Sequence, residues 1–139
     1  MDTLTKPVTV TCLHCGARLT GIIDQQAHRC PPTITKAREL YAAACLAWDV
    51  EAEAGEYAYE YRQWLLGADI HEPEPPDAMR LLEGRNAVVQ LRELGRGQDL
   101  LNAIAVARQD NHQDPPEARI QRARDVALAC AVEMEVRNG

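Results

Sequence analysis

Residues 33–66 read TITKARELYAAACLAWDVEAEAGEYAYEYRQWLL, and this stretch decides the fold. Thr33 or Thr35 caps the start of one long helix, and Gly67 stops it after Leu66. At 1.5 Å per residue such a helix is roughly 50 Å long. On its wheel Cys45, Trp48, Ala52 and Tyr59 fall within about 40° of Tyr41. Tyr57, Tyr61 and Trp64 collect on the opposite side with Leu46 and Val50, and Asp49, Glu53, Glu56 and Glu60 form an acidic row between the two faces. No Lys or Arg within the segment sits four residues away to relieve that row.

Toward the C-terminus, residues 69–76 (DIHEPEPP) form a linker that three prolines stiffen toward polyproline II. Asp77 caps a second helix to about Leu94, and Gly95-Arg96-Gly97 breaks it. A third helix runs from about Gln98 to Gln109, with Leu100, Leu101, Ile104 and Ala105 along one stripe. In Asp114-Pro115-Pro116-Glu117, Asp caps, Pro takes the first helical position and Glu follows three residues after the cap. This last helix continues to about Arg137, with Ile120, Ala123, Ala127, Cys130, Ala131 and Met134 on one face. Cys45 and Cys130 fall on apolar faces and read as core.

Toward the N-terminus, Met1–Pro7 reads as a loose end, while Val8–Thr11 and Arg18–Ile23 read as short strands around a Gly16–Ala17 turn. Pro31–Pro32 ends this region. Cys12 and Cys15 are separated by two residues, so a tight turn brings both sulfurs to one side; Gly16 supplies the positive φ that such a turn needs. Twelve residues later come His28, Arg29 and Cys30, and on extended backbone His28 and Cys30 face the same way. Thiolates and an imidazole in a closed set of four favour one structural zinc ion, with no position left for water or substrate. Cys12, Cys15 and Cys30 are three ligands; the fourth is His28, with His14 as its rival. A zinc ion would replace a core that thirty residues can hardly supply.

Through Cys12-x-x-Cys15-Gly16 and the second ligand pair, the chain resembles the zinc-ribbon and zinc-knuckle modules over residues 12–30, with His-x-Cys in place of a second Cys-x-x-Cys. The expected fold is therefore mainly α: a small β-containing, zinc-ribbon-like module over residues 1–32, then a four-helix body over 33–139 whose first helix is the long one.

The 139 residues contain no Phe, and all six aromatics lie between Tyr41 and Trp64. The core must come from Ala, Leu, Val and Ile on closely packed helices. Net charge is −6, divided into +2 for residues 1–36 and −8 for residues 37–139. So acidic a body repels a polyanion. No secretion signal or membrane-spanning run is seen, and clustered cysteines suit a reducing, cytoplasmic setting in which they bind metal. Thirteen Arg against two Lys, with abundant Ala, suggests a GC-rich coding genome.

The expected function is that of a non-enzymatic regulatory or adaptor protein, a modulator of transcription or of a nucleic-acid enzyme of the kind phages also encode. It would bind a protein partner through Trp48, Glu53, Glu56, Tyr57, Glu60, Tyr61 and Trp64. An alternative is direct nucleic-acid binding by the zinc module through Lys6, Arg18, Arg29 and Lys36. Third comes a metal-dependent enzyme on the helix carboxylates. Glu53-x-x-Glu56 is superficially similar to the helical nucleotide pyrophosphohydrolases, but their second Glu-x-x-Asp pair is missing. A helix with apolar character on two sides is also open to completion by a second copy of itself.

Overall fold

A computed structural model describes residues 9–13, 16–29, 31–111 and 113–138. The fold is mainly helical with one small two-stranded sheet. Strands β1 (Thr9–Thr11) and β2 (Arg18–Thr20) precede helices α1 (Gly21–Ala27), α2 (Pro32–Leu65), α3 (Ala78–Arg92), α4 (Gly97–Ala107) and α5 (Pro116–Asn138).

The strands pair antiparallel, with Thr9 opposite Thr20, Val10 opposite Leu19 and Thr11 opposite Arg18. Arg18–Ile23 is not one strand. The ladder stops at Thr20, Gly21 turns at φ +81°, and Ile22 and Ile23 enter α1 with their side chains exposed. Positive φ takes the backbone out of the extended region, so a β-branched pair after such a glycine does not prolong the strand. The described residues thus hold five helices, α1 standing before Pro31 in addition to α2–α5, and the segment between the two candidate ligand pairs contains strand β2 followed by α1.

Helix α2 starts two residues earlier than a Thr33 cap places it and four earlier than a Thr35 cap does. Pro31 occupies the cap position and Pro32 the first helical position, where a missing N–H costs nothing. The Thr33 hydroxyl instead donates to the Glu135 carboxylate on α5. At the far end Gly67 (φ +91°) donates to Trp64 O (3.1 Å), and Ala68 donates to Gln63 O (3.0 Å). Those two bonds form a Schellman closure, as a glycine stop implies. Asp77 caps α3 by accepting from Met79 N at 2.9 Å. Helix α5 begins at Pro116, one residue later than an Asp114 cap implies; the Asp114 carboxylate pairs with Arg122 at 3.2 Å.

Helix α2 is the spine, packing on α3 and α5, while α4 fills the space against α5. The core is small-residue rich: Ala37, Ala44, Ala123, Ala127 and Ala131 surround Leu40, Leu91, Leu100, Ile104 and Cys130. Close approach is the reason. A Cβ on Gly84 would stand 2.7 Å from the Val50 side chain, so α3 lies directly against α2. Among the described residues β1, β2 and α1 pack on one another and share no extended interface with α2–α5. No helix among them is long and apolar enough to cross a membrane.

Candidate metal turn and partner surface

The β1–β2 hairpin holds the first half of the metal motif. Cys12 N donates to Ala17 O and Gly16 N donates to Cys12 O, both at 2.8 Å. Gly16 sits at φ +77°, the left-handed conformation a tight turn after Cys-x-x-Cys requires. Cys12 is half-buried at the base of this turn, whereas Leu13 at its tip is 96% exposed. His28 follows the last residue of α1 with extended backbone (φ −61°, ψ 134°) and is also half-buried. Cys15, Cys30 and the rival ligand His14 lie outside the described residues. Among the described residues no group of three or more His, Cys, Asp or Glu side chains comes together to hold a metal ion.

The basic residues of this end are partly engaged. Arg29 donates to His28 O at 2.9 Å and Lys36 pairs with Glu39 at 3.5 Å, while Arg18 is exposed at the start of β2. Lys6 lies outside the described residues.

Along α2 the two aromatic faces have different fates. Trp48 packs against the core, and the Arg108 guanidinium lies 5.8 Å from its ring centre. Tyr41 likewise borders the core, with Arg124 at 5.9 Å. On the other face Tyr57, Tyr61 and Trp64 form a ladder with successive ring centres 5.7 Å apart. All three are half-buried and continue the stripe of Val50, the residue that meets α3.

The acidic row is relieved from outside its own helix. Arg80 of α3 grips Glu53 with two bonds of 3.0 and 3.1 Å, and Arg108 reaches Asp49 at 3.7 Å. The bidentate contact raises the Arg80 pKa further above its ordinary value. Arg108 is raised too, first by its hydrogen bond with Cys45 and then by Asp49. Glu56 and Glu60 remain exposed. Sequence reasoning missed Arg80 and Arg108 as partners because both arrive from other helices; their only local signal is being arginines near helix ends.

The end of the α2–α3 hairpin concentrates the charge of the chain. Residues 49–77 contain nine carboxylates and a single cation, Arg62. Beside them Tyr59, Leu65, Leu66 and Met79 are exposed, Leu66 by 75%. Exposed apolar residues bordered by one sign of charge make a surface suited to an oppositely charged partner.

No protein-family model, no curated protein and no solved structure matches this chain.

Proposed function

We propose that the chain is a non-enzymatic adaptor or regulatory protein, stabilised by one structural zinc ion, that binds a basic protein partner through the acidic end of its α2–α3 hairpin. The observation carrying this reading is the excess of carboxylate over residues 49–77 beside exposed Tyr59, Leu65, Leu66 and Met79. Glu56 and Glu60 supply charge, and the half-buried Tyr57–Tyr61–Trp64 ladder stiffens the helix behind them. Glu53 and Trp48 are occupied within the bundle and serve its packing. A partner with a basic surface, such as a transcription or nucleic-acid-processing protein, would match this chemistry.

Zinc ligation by Cys12, Cys15, His28 and Cys30 is supported by the closed turn at Gly16 and by the order hairpin–helix–His28. The donor set suits zinc, whose task here is to hold the turn and α1 together.

The partner is sought by crosslinked pull-down from the native host, comparing wild type with Glu56→Lys/Glu60→Lys and with Val136→Ser on α5. A partner retained by wild type and Val136→Ser and lost from the double variant supports the surface. Equal capture by all three overturns it. Metal analysis is expected to give one zinc per chain, and none overturns the zinc assignment.

A further inference from the structure

A groove of about 730 Å³ runs between the first turns of α2 and the middle of α5, under the tip of the β1–β2 turn. Its apolar walls are Ile34, Tyr41 and Ala42 of α2, Ala127 and Leu128 of α5, and Leu13 of the turn. Two guanidiniums border it, Arg38 from α2 and Arg124 from α5, with Gln121 and the carboxylate of Asp125. Five arginines elsewhere, Arg80, Arg96, Arg108, Arg122 and Arg137, each hold a carboxylate within 3.7 Å, whereas among the described residues Arg62, Arg85 and Arg92 do not. Among the described residues neither Arg38 nor Arg124 makes an ion pair, and Arg124 lies over the Tyr41 ring. Leu13, although it lines the groove, rests on neither helix, being 96% exposed.

We propose that this groove binds a small amphipathic monocarboxylate, its apolar chain on the Ile34–Tyr41–Leu128 floor and its carboxylate between Arg38 and Arg124. Three features select that chemistry. The volume falls within the range of small-molecule sites, and apolar side chains share the lining with a few polar ones. Two guanidiniums against one carboxylate leave a single positive charge, which a monoanion balances, and the planar fork of arginine matches a carboxylate. The wall from Ile34 to Ala42 is about 12 Å long at helical rise, enough for a short chain but not for an extended one. The site is separate from the acidic hairpin end and does not depend on it.

The probe is decanoate, titrated into the full chain by calorimetry and by amide chemical-shift mapping. Expected is one site per chain, with shifts centred on residues 34–42 and 121–128. Arg124→Gln and Arg38→Gln, both at exposed positions, should each weaken binding about tenfold or more. Ala42→Trp should block the groove, and circular dichroism should show each variant folded. Decanol, which keeps the chain and lacks the charge, should bind at least tenfold more weakly. Equal binding of decanol, shifts scattered over other exposed apolar residues, or no decanoate binding overturns the proposal. An acidic amphipathic peptide binding these walls where decanoate does not overturns it as well, in favour of protein docking.

Discussion

At the scale of single residues, two buried groups hold the bundle in ways open to measurement. Arg119 is 6% exposed, and its guanidinium donates to the carbonyls of Val106, Ala107 and Gln109 where α4 ends. The last turn of α4 carries no basic residue, so α5 supplies the cation that this helix end favours. Arg119→Met should lower stability by about 2 kcal/mol in urea unfolding, because it removes the charged donor from the carbonyls that end α4. Cys130 is fully buried and bonds its thiol to Arg96 O at 3.4 Å. Burial raises its pKa, opposed by Arg96 and reinforced by Glu133 and Asp99. The unfolded thiol therefore ionises first, and stability falls as pH rises from about 8.5, the ordinary thiol value, toward the higher folded value. Thermal melts between neutral pH and pH 10 should show a steeper loss for wild type than for Cys130→Ala.

At the scale of elements, the helix ends show what is locally encoded. Asp77 and Gly67 act through their own neighbours, so their roles can be read from sequence; Asp77→Ala should cost about 1 kcal/mol in the same unfolding experiment. Thr33 had an equally good local claim to cap α2, but Pro31–Pro32 start that helix and its hydroxyl turns to Glu135, a residue on another helix. Strand β2 ends early because Gly21 adopts positive φ, a choice that the sequence LTGII leaves open. The tightest junction joins α3 to α4, where a Cβ on Gly97 would stand 1.5 Å from the Leu91 carbonyl oxygen. Gly97→Ala should cost about 3 kcal/mol because backbone must move to admit it. Gly95→Ala would meet only the mobile ends of Glu133 and Arg137 and should cost clearly less. Chemical denaturation of the two variants side by side checks the contrast.

At the scale of the whole molecule, the hairpin–α1 segment and the α2–α5 bundle share no extended interface among the described residues. Removing the proposed zinc should therefore act locally. In Cys12→Ser, or with chelator, amide signals of residues 9–29 should collapse while far-ultraviolet circular dichroism keeps nearly all its helical amplitude. Loss of the bundle's cooperative melt under the same treatment would show that the two parts depend on each other. Charge is also organised at this scale: the excess of acid over residues 49–77 exceeds the net charge of the whole chain, which leaves the remainder slightly basic.

The sequence by itself determined the helices that follow Pro32, the glycine stop, the Asp77 cap and the glycine turn beside Cys12, because each rests on the conformational preference of one residue or its immediate neighbours. The same local logic set the two faces of α2, which follow from helical periodicity alone. Only the tertiary structure decided which face is used for what. Arg108 and Arg124 cover Trp48 and Tyr41 from α4's end and from α5, while Arg80 takes Glu53 from α3. It also brought Arg38 and Arg124, 86 positions apart in the chain, to one groove. Contacts of that range depend on how alanine- and glycine-lined helices approach, which is a property of the packed bundle and not of any local stretch.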